Sequence, residues 1–70
     1  MKAKFYKFID SDTTLLTYFK VKRTRYKLWV GNRWYDGFFT WKRLTDERKE
    51  YLYEVPDLEA IIVLGAEALQ

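Results

Sequence analysis

Cysteine and histidine are both absent from this 70-residue chain, which contains only one proline and three glycines. Without cysteine there is no disulfide, and because zinc sites favour Cys and His ligands, a structural zinc site is nearly excluded. The sequence therefore predicts no cofactor. A chain of this length forms one small domain, residues 1–70, whose stability comes from side-chain packing or from an oligomer.

Long apolar runs are also absent. The longest one extends from Ala60 to Leu64, which is far shorter than a membrane span. The first residues carry charges among their apolar positions, and no signal-peptide hydrophobic region follows them. We therefore expect a cytoplasmic protein that has no membrane partner.

Catalytic motifs are missing as well. The usual general base, histidine, is absent, and none of the serine or threonine hydroxyls lies in a recognisable nucleophile motif. Gly31, Gly37 and Gly65 are isolated, so they cannot form a glycine-rich phosphate loop. These absences predict a protein that is not an enzyme.

Alternating apolar residues predict antiparallel strands in the first part of the chain. Strands are expected at residues 3–9, 14–22 and 26–30, with a long one at 34–44, and turns between them at 10–12, 22–25 and 31–32. Gly37 lies inside the long predicted strand, where a glycine indicates a bulge or a bend.

The last third of the chain allows two interpretations at two places. Residues 45–48 form either a hairpin loop before a strand at 49–55, which Tyr and Val favour, or the start of a helix capped by Thr45. After Pro56, Asp57 is a suitable helix cap, and helical spacing predicts an inward face of Leu58, Ile61, Ile62, Gly65 and Leu69. The competing interpretation is a buried strand at 60–64.

These elements predict an α+β or mainly β domain with a small curved antiparallel sheet, or an SH3-like barrel, of four to five strands and a C-terminal helix. The stretch WYDGFFTWKRLTDERKEYLYEVPDLEAIIVL, residues 34–64, resembles the small SH3-like and Tudor-like barrels. Those domains show an aromatic–acid–glycine strand, a hairpin, a further strand and an acidic proline turn. The resemblance implies a barrel but assigns no binding residues.

Charge is distributed unevenly along the chain. Residues 1–43 hold 11 basic and 3 acidic side chains, whereas residues 44–70 hold 2 basic and 7 acidic ones. Such a bipolar domain attracts a polyanion at one end, or stacks head to tail on itself as a homo-oligomer. The plainer explanation is that the charges serve solubility alone.

The basic and aromatic stretch at residues 20–35 points to a nucleic-acid partner. Cations track a phosphate backbone, while exposed rings stack on bases. The candidate residues are Lys20, Lys22, Arg23, Arg25, Lys27, Trp29, Arg33, Trp34 and Tyr35. The competing explanation is that the cations protect a sheet edge from aggregation and the rings build the core.

A second aromatic cluster predicts an alternative function. The strand expected at 34–44 has large rings on both faces, and one set would form a surface rimmed by cations. Aromatic residues and arginine are enriched at protein interfaces, so the alternative is a protein-binding module such as a small inhibitor or adaptor. Its candidate residues are Trp34, Tyr35, Phe38, Phe39, Trp41, Lys42 and Arg43. Small domains without motifs are common among phage and mobile-element proteins.

Overall fold

Residues 3–9 and 16–69, which the computed structural model describes, form one antiparallel sheet and two helices. The strands are β1 (Lys4–Ile9), β2 (Leu16–Lys22), β3 (Arg25–Val30), β4 (Arg33–Asp36) and β5 (Leu52–Val55). The helices are α1 (Trp41–Arg48) and α2 (Asp57–Leu64), and single turns of 3-10 helix occupy Lys49–Tyr51 and Ala66–Leu69. The predicted α+β domain with a small antiparallel sheet is confirmed.

The strand order is β4-β3-β2-β1-β5, with neighbours antiparallel throughout the described residues. The sheet is open, because β4 and β5 lie at its two edges and do not pair with each other in this order. The barrel implied by the SH3-like resemblance is therefore not formed. Edge strands of four residues present little unpaired backbone, and both faces carry a helix, so closure is not needed to protect the sheet.

Two tight turns connect β2, β3 and β4. Arg23 and Thr24 join β2 to β3, while Gly31 and Asn32 join β3 to β4 with φ angles of 57° and 65°. Positive φ at both central residues is the type I′ geometry that matches the twist of a hairpin. These turns confirm the predictions at 22–25 and 31–32. The turn predicted at 10–12 and the predicted strand residues 14 and 15 lie outside the described residues.

Helix α1 covers one face of the sheet, which we call the α1 face. The ring of Trp41 packs against Tyr6, Phe19 and Tyr26, with ring centroids 5.1, 5.5 and 5.5 Å away. Leu44 packs on the same cluster, one helical turn further on. The buried members of this cluster are Phe19, Val21 and Tyr26.

Helix α2 covers part of the opposite face, the α2 face. Its Ala60 and Leu64 pack with Ala68 onto Phe5, Tyr18 and Val55, and Trp29 joins the margin of this cluster. Lys7 reaches up from β1 to Glu59 of α2, with Nζ 3.3 Å from Oε2. Neither helix in the described part of the chain is long and apolar enough to cross a membrane.

The long strand predicted at 34–44 is wrong beyond Asp36. After Gly37 the chain bends, and a helix begins at Trp41 with Thr40 as its N-cap. The Thr40 side chain accepts a hydrogen bond from the Arg43 backbone N–H at 3.4 Å. Helical spacing of Trp41 and Leu44 brings both side chains onto the α1 face, whereas a strand would have pointed them to opposite faces.

The region after this helix also differs from the prediction. The strand expected at 49–55 is confirmed only from Leu52, because residues 49–51 form a 3-10 turn. Thr45 is not a cap but lies inside α1, where its hydroxyl donates to the carbonyl oxygens of Trp41 and Lys42. A strand over 49–55 would place Tyr51 and Tyr53 on one face, but the Tyr51 ring lies edge-on to Phe8 on the α1 face.

The C-terminal helix is confirmed, and the alternative of a strand at 60–64 is wrong. Its N-cap is Pro56 rather than Asp57, which is the first helical residue. The predicted inward face is also wrong, because Leu58 is 70% and Ile62 75% exposed. The helix instead turns Ala60 and Leu64 inward. Ala60 is fully buried, so the helix backbone approaches the sheet closely.

Candidate nucleic-acid interface

The β2–β3 hairpin brings four cations together on one face of the sheet. Paired residues in antiparallel strands point to the same face. Lys20 lies opposite Lys27, and Lys22 lies opposite Arg25, two positions further along. We call these four residues the basic array. They occupy the part of the α2 face next to the hairpin turn, beside the region that α2 covers.

Repulsion within the basic array destabilises the fold. Like charges placed directly opposite each other in a sheet repel, by up to about 1 kcal/mol for each pair. The pKa of Lys20 is lowered from its usual value, first by burial and then by the charges of Lys22 and Lys27. An anion bound over the array would relieve this repulsion.

An acidic residue, Asp36 on β4, lies beside the array and lines the same groove. Its Oδ1 is 3.9 Å from Nζ of Lys27, and both side chains are largely exposed. Exposed ion pairs of this kind contribute little energy. Glu54 lies on β5, at the sheet edge farthest from β4. Glu59 is engaged by Lys7 and contributes to the raised pKa of Tyr18, whose main cause is burial.

A short aromatic loop, residues 37–40, borders the basic array. Backbone hydrogen bonds hold it at both ends, from Gly37 N to Tyr26 O at 3.1 Å and from Trp41 N to Thr24 O at 2.9 Å. Between these anchors the Phe38 side chain is 96% exposed. The ring is therefore presented to solvent from an anchored stretch of backbone beside the hairpin.

The array and the loop line a common open groove with a volume of about 1060 Å³. Its cationic lining comes from the basic array and Arg23, and its apolar lining from Phe38 and Phe39. The volume is on the scale of ligand sites, but the groove is open along one side. This shape suits an extended chain better than an enclosed small molecule.

Trp29 and Trp34 form an aromatic pair at the other end of the array. They are cross-strand neighbours, with ring centroids 5.0 Å apart in an edge-to-face arrangement. Both lie on the α2 face, two register positions beyond Lys27 and Asp36. Trp29 packs against the core under α2, whereas Trp34 keeps 36% of its surface exposed.

Two of the predicted nucleic-acid residues lie elsewhere. Arg33 and Tyr35 alternate with Trp34 along β4, so both side chains point to the α1 face. Of the two rings expected to stack with Trp29, Trp34 therefore lies on the face of the cations and Tyr35 does not. The structure brings together the other members of that set on the α2 face and at its turn: Lys20, Lys22, Arg23, Arg25, Lys27, Trp29 and Trp34.

The protein-binding cluster expected from the sequence is not contiguous. Trp41 lies among three rings under the sheet, and Trp34 and Tyr35 point to opposite faces. Phe38 and Phe39 stay exposed, and the Arg43 guanidinium stacks 4.7 Å from the centre of the Phe39 ring. Lys42, next to Arg43 on α1, is exposed.

The sequence analysis places Phe38 only in the protein-binding set, whereas in the structure it lines the same groove as the basic array. Gly37 within an aromatic run was the available signal. A Cβ at this glycine would lie 2.3 Å from the Tyr26 ring, so the chain crosses Tyr26 in close contact and the next residue is directed outward.

Within residues 3–9 and 16–69, no group of three or more acidic side chains is placed to hold a metal ion. The known families, curated proteins and solved structures that were compared with this chain contain no match to it. The chemistry of the groove is therefore the basis for a functional proposal.

Proposed function

We propose that this domain is a non-enzymatic module that binds nucleic acid over the basic array. The observation that carries the proposal is the facing of Lys20 with Lys27 and of Lys22 with Arg25 on an open surface. Cations that face each other in this way repel, and an external polyanion that binds over them relieves the repulsion. In this proposal the domain acts in the cytoplasm and does not contact a membrane.

The physical basis is counterion release. The lysine and arginine side chains of the array neutralise phosphates and release the counterions condensed along the nucleic acid, which makes binding steeply dependent on salt. Each lost contact lowers the slope of log affinity against log salt by about 0.7 for a single strand and 0.9 for a duplex. The array therefore has a measurable signature that does not depend on sequence recognition.

The test is a fluorescence anisotropy titration of labelled oligonucleotides at several salt concentrations. We expect the double variant Lys20→Gln, Lys27→Gln to weaken binding and to lower the salt slope by about 1.4 to 1.8. The matched control is Lys4→Gln, Lys49→Gln, which removes the same charge from exposed positions outside the groove. Equal losses in the two variants, or no salt-dependent binding at all, would overturn the proposal.

A protein partner is the second candidate, and exposed Phe38 and Phe39 beside Arg43 favour it. Aromatic and arginine side chains dominate many interfaces, and binding through them persists at high salt. A partner captured from lysate at high salt by the native chain, and lost with Phe38→Ala, would support this function. Capture that is unaffected by the substitution would exclude the loop from it.

A further inference from the structure

We infer that the groove is selective for single-stranded over double-stranded nucleic acid, because Phe38 supplies a stacking platform that only unpaired bases can use. This inference rests on the proposed function and specifies its ligand. The inference depends on three features: the Phe38 ring is exposed, the loop backbone that carries it is anchored, and the ring lies beside the basic array.

The Phe38 ring is exposed, although its burial would stabilise the fold. Burying a phenylalanine side chain stabilises a protein by roughly 1.5–3 kcal/mol, and this ring, at 96% exposure, forgoes nearly all of it. The neighbouring Phe39 is half covered and stacks with Arg43. Phe38 therefore has an open π-face that the described part of the chain does not use.

The loop backbone that carries Phe38 is anchored at both ends. The loop has only three residues between its two anchoring amides, those of Gly37 and Trp41. Gly37 is pressed against the Tyr26 ring, and Trp41 is held by the rings of the α1-face cluster. Because the loop backbone is anchored at both ends, it needs little ordering when a base stacks on the ring.

The ligand must combine phosphates with accessible base faces. Phenylalanine carries no hydrogen-bonding group, so Phe38 cannot read a base edge and can only stack. In a duplex the base faces are covered by their neighbours, whereas a single strand exposes both its phosphates and its bases. The groove therefore offers a single strand two kinds of contact and a duplex one kind.

Phe38 and Trp34 together define a path for the bound nucleic-acid strand. The anchors of the aromatic loop pair with Thr24 and Tyr26, on either side of Arg25, and Trp34 pairs with Trp29. Arg25 and Trp29 are about 13 Å apart at roughly 3.3 Å per residue. A few nucleotides running along β3 would place bases at Phe38 and at Trp34 while their phosphates cross the basic array.

The experiment titrates a single strand of about 12 thymidines and a duplex of the same length at several salt concentrations, and compares the two affinities at each concentration. We expect the native chain to bind the single strand more tightly. Phe38→Ala should weaken single-strand binding by about 5- to 150-fold, the range found for loss of one base–aromatic stack, and leave duplex binding unchanged. Phe38→Tyr retains a π-face and should restore the affinity.

Leu58→Ala is the matched control, because it removes an exposed apolar side chain that does not line the groove. It should leave both affinities unchanged. Phe38 is almost fully exposed, so its replacement does not disturb the core, and circular dichroism of each variant checks this.

Different outcomes separate this inference from the proposed function. If neither ligand shows salt-dependent binding, the proposed function itself fails. If both bind with a salt slope but the duplex binds as tightly, or Phe38→Ala has no effect, only single-strand selectivity fails. Loss of duplex affinity with Phe38→Ala would overturn stacking in favour of a wedge inserted between base pairs.

Discussion

Gly37 lies in direct contact with the ring of Tyr26, so that a Cβ at this position would be 2.3 Å from the ring's Cζ. At Gly31 the space around a Cβ is open, but the φ angle of 57° lies in the region that favours glycine. One glycine is needed for close approach and the other for backbone conformation. The contact at Gly37 determines where the aromatic loop leaves the sheet.

Gly37→Ala should therefore destabilise the protein by about 1–3 kcal/mol, the usual cost of overpacking a fitted contact. Gly31→Ala should cost about 1 kcal/mol through backbone strain alone. Urea denaturation measures both losses. Gly37→Ala should also displace the Tyr26 ring, which shows as shifted aromatic NMR signals, whereas Gly31→Ala should not. A Gly37→Ala protein of native stability would contradict the close contact.

The orientation of α2 gives a second prediction. Leu64→Ala removes a buried side chain and should cost about 2–5 kcal/mol, while Leu58→Ala should change the free energy of unfolding by less than about 0.5 kcal/mol. Urea denaturation at two protein concentrations measures both and shows whether self-association contributes. If the two variants lose equal free energy of unfolding in dilute solution, the face with Leu58, Ile61 and Ile62 packs against the sheet instead.

A third prediction concerns Lys20, whose pKa is lowered by burial and by the charges of Lys22 and Lys27. The charged form is therefore less favourable in the folded chain than in the unfolded one. Lys20→Met should stabilise the fold at about pH 7 by roughly 0.2–1 kcal/mol, since the methionine keeps the stem and removes the charge. Added salt should reduce the gain, because it screens the repulsion.

The pH dependence of this gain has a definite sign. Below the lowered pKa, Lys20 is protonated in both states and the full penalty applies. As the pH rises from that value through the ordinary 10.5, the folded chain releases its proton first, and its stability rises relative to Lys20→Met. Urea denaturation of both proteins across this range measures the difference, and a difference that does not change with pH would contradict the prediction.

The local pattern of the sequence was sufficient to predict the strands in the first half of the chain. In β2 and β3, alternation separates Phe19, Val21 and Tyr26 from the cations, so the composition of each face follows from a period of two. The two hairpin turns carry short, polar or glycine residues whose preferences are local. The gathering of the four cations could therefore be predicted once the hairpin register was assumed.

The second half required tertiary information. The stretch Trp34–Leu44 contains enough aromatic residues for a strand, and only the close contact of Gly37 with Tyr26 and the cap at Thr40 end it at Asp36. In α2, patterning favours burial of the larger side chains, but the narrow space above Phe5 and Val55 admits Ala60 instead. Packing at close range overrides hydrophobicity at such positions.

The sequence by itself determined the class of this protein: a small α+β domain with alternating strands, a basic hairpin and an acidic C-terminal half. Those features depend on interactions between residues close together in the chain. Only the tertiary structure decided which rings are exposed and which stand beside the cations. That choice depends on how two helices and a glycine fit against opposite faces of one sheet, which no local pattern specifies.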